Sequence, residues 1–266
     1  MDKQIQLSTG LCSYYDSGGN KSPLMIIHGF SLKIGYTPYV NYLKDNFRLI
    51  IPDLPFATAY DFFKKHTVDN YTDFLIELTE KLKLKNLNIY GNSLGGSLGL
   101  SYALKNSKGI TKLVVRSPFY SKNLLPFKFR NLISLSICKT LAYNRVTLNP
   151  FANIFFGKMA NYSVNTNTDK SLYDEIKKAQ KKLDKAKCRD IIFDLLSINF
   201  GSRLSNIENE VLILWPDSDK LLNPKMAKSL HCELKNSRLF IEPNAHHCIA
   251  TVDPKVLTGH ISDFIK

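Results

Sequence analysis

Leu87-Asn88-Ile89-Tyr90-Gly91-Asn92-Ser93-Leu94-Gly95-Gly96-Ser97-Leu98-Gly99-Leu100 changes character twice along its length. A short apolar run of β-type residues ends at Tyr90, and a serine flanked by glycines follows. Leu98, Leu100, Tyr102, Ala103 and Leu104 then continue as a helical segment. Strand, one-residue turn and helix form the context in which G-x-S-x-G has chemical meaning. The serine must occupy a strained bend so that its oxygen projects into a cleft. Side chains two positions to either side would collide with the neighbouring strand and helix, so glycine is required there. The helix beginning behind Ser93 aims backbone N–H groups and a positive dipole end at developing negative charge. A phosphate-binding loop does not fit, because there is no G-x-x-x-x-G-K-[ST].

Outward from this stretch, similar apolar runs recur at Leu24 to His28, Arg48 to Ile51, Lys112 to Arg116, Val211 to Trp215 and Arg238 to Glu242. Several are apolar almost throughout, as strands covered on both faces of a parallel sheet must be. Helical patterns separate them. Tyr71, Phe74, Leu75, Leu78 and Leu82 make one apolar stripe, with Asp69 as the expected N-cap. Pro254 is placed to open a last helix carrying Val256, Leu257, His260, Ile261 and Phe264. Strand alternating with helix predicts an α/β fold with a mostly parallel central sheet flanked by helices.

The alternation breaks between about Pro118 and Ser205, where the chain reads as helical and loop-rich. The expected division is a core of residues 1–118 and 205–266 with a helical cap, 119–204, inserted between its two pieces. Charge follows the same division. Of the formal +13, residues 121–200 hold fourteen Lys/Arg against six Asp/Glu, or +8, so the basicity belongs mainly to the inserted segment. Within it, Lys177 to Arg189 reads as a basic helical run with a solvated face. No nucleic-acid-binding module accompanies the charge.

The five cysteines (Cys12, Cys138, Cys188, Cys232, Cys248) are scattered without a CxxC, which fits a reducing compartment rather than a disulfide framework. The opening Met1-Asp2-Lys3-Gln4-Ile5-Gln6 lacks the basic lead and apolar run of a secretory signal. No stretch reaches the roughly 20 uninterrupted apolar residues of a membrane span. A cytoplasmic location is the expectation. His231-Cys232 and His246-His247-Cys248 offer metal-ligating side chains, but adjacent ligands match no usual structural-zinc spacing.

Taken together, these motifs resemble the α/β-hydrolase superfamily over nearly the whole chain. His28-Gly29-Phe30, after the strand from Leu24, resembles the family's His-Gly oxyanion turn. Ile51-Pro52-Asp53-Leu54-Pro55 resembles its Pro-Asp turn, and Ser93 stands at its nucleophile elbow. Trp215-Pro216-Asp217-Ser218-Asp219, leading to Pro224, resembles the family's acid loop. The family's spacing selects Asp219, with Asp217 as the alternative. Phe240-Ile241-Glu242-Pro243-Asn244-Ala245-His246-His247 resembles the histidine segment. Ala245-His246 fits the register of the family's usual Gly-His, which implies His246 as the base and leaves His247 as the neighbouring candidate. His28 reads as a structural residue of the oxyanion turn; His66, His231 and His260 read as ordinary surface or partly buried histidines.

The resemblance implies a catalytic set of Ser93, Asp219 and His246, with the backbone N–H groups of Phe30 and Leu94 holding an oxyanion. It implies acyl transfer without a cofactor, on a small-molecule carboxylic ester or thioester, as in esterases and lipases. Two features point to the substrate. Asn92 at the elbow resembles the family's carbon–carbon bond hydrolases of dienoic acids. In the cap, Leu124, Leu125, Phe127, Phe129, Leu132, Ile133, Phe151, Ile154, Phe155 and Phe156 suit an apolar channel for an acyl chain, and their interleaved basic residues suit contact with an anionic membrane. The alternative of a different class is a non-hydrolytic receptor or partner-switching member of the fold. The chain departs from the family after its Pro-Asp turn, where Pro55 to Tyr60 contains no glycine.

Overall fold

The computed structural model describes residues 2–124 and 169–266. An eight-stranded sheet runs through them in the order β1-β2-β4-β3-β5-β6-β7-β8. Its strands are β1 (Asp2–Leu7), β2 (Gly10–Asp16), β3 (Pro23–Ile27), β4 (Arg48–Pro52), β5 (Leu87–Asn92), β6 (Ile110–Arg116), β7 (Glu210–Pro216) and β8 (Ser237–Glu242). From β4 to β8 every neighbouring pair is parallel, while β1 and β2 form an antiparallel hairpin laid against β4. The hairpin has no counterpart in the sequence reading. β1 is exposed over most of its length and β2 alternates between half-buried and buried residues, so neither makes the continuous apolar run that marks the inner strands.

The apolar runs divide between two cores with the period of two that a strand imposes. Met25 and Ile27 of β3, Leu113 and Val115 of β6, and Ile213 and Trp215 of β7 face one side. Leu24 and Ile26, Val114, and Leu212 and Leu214 face the other. The first core is covered by α2 (Val68–Lys81), α3 (Leu94–Lys105), α5 (Lys185–Ser197) and α6 (Lys225–Glu233). The second is covered by α1 (Thr37–Leu43), α4 (Lys170–Gln180) and α7 (Pro254–Ile265). Each fully buried Leu or Ile in these layers stabilises the fold by about 1.5–3 kcal/mol relative to leaving it exposed.

Two local expectations change. Thr67, not Asp69, caps α2: its side chain accepts the Asn70 N–H, while Asp69 sits in the first turn. A Thr at the extended residue before the first turn can aim its hydroxyl back at the helix, which a residue already inside the helix cannot do. The basic run from Lys177 to Arg189 is also not one helix. The chain turns after Gln180, and Asp184 caps α5 through the N–H groups of Ala186 and Lys187. Lys187 itself is buried, with its ammonium on the carbonyls of Thr58 and Tyr60 and on the Asp61 carboxylate at 2.8 Å. It ties α5 to the loop after β4 rather than lying on a solvated face.

At the edge of the core the arms Phe119 to Asn123 and Ile198 to Phe200 lie side by side. Ser121 and Asn199 form a bridge, Lys122 N–H donates to Ile198 O, and Phe200 N–H donates to Tyr120 O. The side chains of Leu124 through Phe156 proposed to line an acyl channel lie outside the described residues. Among the described residues no helix is long and apolar enough to cross a membrane.

Candidate active site

The chain leaves β3 for β4 on one side of it, then crosses back to β5 on the other. A crevice opens at such a switch point, beyond the C-terminal ends of the strands, and the candidate residues gather there. Ser93 follows β5 directly and precedes α3 with φ 55 and ψ −120. A side chain at positive φ is strained, and here the strain turns Ser93 out of the strand. From Leu87 to Ala103 it is the one residue that is not buried. The close approach behind it requires Gly95, since a Cβ there would run into the backbone carbonyl of Ile27.

The Ser93 Oγ lies 2.8 Å from Nε2 of His247, whose Nδ1 lies 2.7 Å from Oδ2 of Asp219. The other Asp219 oxygen accepts the N–H groups of Leu221 and Leu222 at 2.9 and 2.8 Å. Burial by itself raises the Asp219 carboxyl. The charge and bond of His247 and the two backbone N–H groups outweigh it, so the group is held below the ordinary carboxylate value. An ionised carboxylate can only accept, so the His247 proton resides on Nδ1 and Nε2 is free to accept from the serine hydroxyl.

This geometry corrects the choice of histidine. His246 turns away: its Nδ1 meets the Ser218 carbonyl at 2.9 Å, and its N–H donates to Thr251 Oγ1. The loop reverses at Asn244, with φ 55, which moves the ring facing Ser93 one position beyond the register of Gly-His. Asp217, the alternative acid, is exposed. Its carboxylate accepts the Asn244 N–H at 3.0 Å and the Ser218 hydroxyl, stitching the acid loop to the histidine loop.

His28 is fully buried, and its ring bridges two turns. Leu54 N–H donates to Nε2 at 3.3 Å, so Nδ1 carries the proton that meets Gly29 O at 2.8 Å. Burial depresses its pKa, consistent with a neutral ring. Gly29 lets this turn lie against the elbow; a Cβ there would stand 2.9 Å from Asn92 O and 3.2 Å from Ser93 Cβ. The turn thus lies against the start of α3, where a Cβ on Gly29, the residue before Phe30, would stand 3.5 Å from Leu94 N. Gln180, at the end of α4, donates to Phe30 O at 2.8 Å.

Behind the site lies an ion pair absent from the sequence reading. Arg116, the last residue of β6, is wholly buried with its Nε on Glu242 at 2.8 Å. Its Nη1 reaches Asn92 Oδ1 at 3.2 Å and His247 O at 3.0 Å, and Nη2 reaches His246 O at 2.9 Å. Burial lowers the pKa of this guanidinium, but the Glu242 carboxylate outweighs it and the net shift is upward. Asn92 is buried, with its side-chain oxygen turned toward Arg116.

A parallel sheet entered by an antiparallel hairpin, with a strained serine at its switch point, defines a class as well as a geometry. Residues 22–254 match the family model of the alpha/beta hydrolase fold, and the chain belongs to that family. It is 26% identical to the uncharacterized hydrolase YugF of Bacillus subtilis over 97% of this chain and 95% of that protein. It is 23% identical to Lipase 1 of Psychrobacter immobilis, over 92% of this chain and 78% of the lipase. Among solved structures, an esterase from Exiguobacterium antarcticum superposes with a TM-score of 0.82 at 17% identity, covering 100% of this chain and 99% of that one.

Proposed function

We propose that this hydrolase cleaves carboxylic esters, thioesters included, through an acyl-enzyme on Ser93. The observation that carries the reading is the unbroken line of short contacts from Ser93 Oγ through His247 to the buried Asp219. As Oγ attacks the substrate carbonyl, His247 Nε2 takes its proton. Asp219 keeps the imidazole oriented and stabilises the imidazolium. The tetrahedral oxyanion is held by the backbone N–H groups of Phe30 and Leu94, at the positive end of α3. Each such donor is worth roughly 100- to 1000-fold in rate. His247 then returns the proton to the leaving alcohol or thiol, and water, activated by the same ring, releases the acid.

The similarity to a lipase supports an ester, and the aromatic and aliphatic content of residues 119–204 supports an apolar acyl group. The test is labelling with a fluorophosphonate alongside hydrolysis of p-nitrophenyl esters of rising chain length. The wild-type protein should be labelled and active, and Ser93→Ala should be neither. Preference should rise with chain length; equal turnover of all lengths would count against the apolar acyl group. Labelling of Ser93 without turnover of any ester would instead favour a non-hydrolytic receptor.

A further inference from the structure

We infer that Arg116 is the positioning residue that sets Ser93 and His247 in register, acting through both its main chain and its side chain. The inference rests on the hydrolase reading above. Ser93 and His247 are 154 positions apart and come from separate loops. Arg116 holds both loops at once. Its carbonyl accepts the Ser93 N–H at 2.8 Å, which pins the elbow itself. Its guanidinium grips the carbonyls of His246 and His247 at 2.9 and 3.0 Å, which pins the peptide units on both sides of the His247 Cα. The same Nη1 meets the Asn92 side chain, next to Ser93.

The chemistry calls for arginine. Acceptors spread over two loops match a planar fork of fixed N–H directions, which a single ammonium cannot span. Glu242 closes β8 just before the histidine loop, and its carboxylate supplies the countercharge that lets the guanidinium stay buried. Arg116 has no exposed surface, so it cannot touch the substrate and must act through the groups it orients. Misplacing a reacting pair by as little as about 1 Å can cost on the order of 100-fold.

Arg116→Lys is the decisive variant, because it keeps the charge opposite Glu242 and loses the fork. The expected result is a kcat about 10- to 100-fold lower with KM within about twofold, and a parallel fall in the rate of Ser93 phosphonylation. Asn92→Ala removes only the tie to the elbow and should lower kcat about threefold or more at unchanged KM. Because both substitutions remove the same bond, the double variant should lose less than the product of the two single losses. A merely structural pair would move the thermal midpoint and leave kcat alone. Arg116→Lys with kcat within twofold of wild type overturns the inference. Should that variant fail to fold, Asn92→Ala with wild-type kcat overturns it instead. If wild-type protein neither turns over esters nor is labelled at Ser93, it is the hydrolase reading that falls.

Discussion

Adjacent histidines allow a sharp test of the site. In His247→Gln the amide can still donate to Asp219, so the buried carboxylate keeps a partner, but no group remains to accept the Ser93 proton at 2.8 Å. Removing the general base of a serine triad lowers kcat by about 10⁴- to 10⁶-fold. At about 1.36 kcal/mol per decade, that is roughly 5–8 kcal/mol of transition-state stabilisation. His246→Gln removes a single bond, from the ring to the Ser218 carbonyl, which is worth about 1 kcal/mol of stability. Its kcat should stay within about threefold of wild type, since that ring does not reach Ser93. Steady-state hydrolysis of a short p-nitrophenyl ester, with fluorophosphonate labelling as a second readout, separates the two by more than three decades. A larger loss in His246→Gln than in His247→Gln would refute the assignment.

Other expectations follow from contacts around the site. Gly95→Ala forces a methyl into the Ile27 carbonyl and should cost about 3 kcal/mol or more in denaturant unfolding; a wild-type midpoint would show that the elbow can relax. Asp16, buried under Arg48 and Lys3, feels burial pushing its carboxyl up, but the bonds from those two cations and from Gly18 N–H hold it well below its ordinary value of 3.8. A depressed carboxyl stabilises the fold fully above its unfolded pKa and loses that contribution as pH falls toward the folded one. Asp16→Asn should therefore destabilise at pH 7 by about 1–2 kcal/mol, allowing for the partly exposed Lys3 and Arg48, and flatten the loss of stability below pH about 4. Identical pH slopes in the two proteins would contradict this. Gln180→Ala removes the donor to Phe30 O, a bond worth about 0.5–1.5 kcal/mol, and should lower kcat by about two- to tenfold. An unchanged kcat would mean that the oxyanion turn holds its shape without α4.

Several parts of the molecule are legible in residue order because they follow from local chemistry. Continuous apolar runs such as Leu24 to Ile27 mark strands buried on both faces, and each splits between the two cores as the pleat requires. The elbow is legible because a serine between glycines, with a strand before and a helix after, leaves few other conformations. The Asp219 loop is legible through its resemblance to the family's acid loop, whose spacing between strand end and proline selects Asp219 over Asp217. The β1–β2 hairpin escapes this reading, since half-exposed edge strands carry a weaker pattern.

His246 and His247 mark the limit of such reasoning. Two identical side chains, one residue apart, offer no chemical difference for a pattern to detect. Their fates are set by a backbone reversal at Asn244, by the Thr251 hydroxyl on the His246 N–H, and by Arg116 on both carbonyls. Arg116 and Glu242 stand 126 positions apart, each at the end of an apolar strand, where a charge ordinarily signals solvent. The sequence alone therefore determined the class of fold and singled out Ser93 and, through the family resemblance, Asp219, because each signal rests on neighbours in the chain. Which imidazole faces Ser93, and what holds it there, depends on contacts across the chain, and only the folded sheet brings those together.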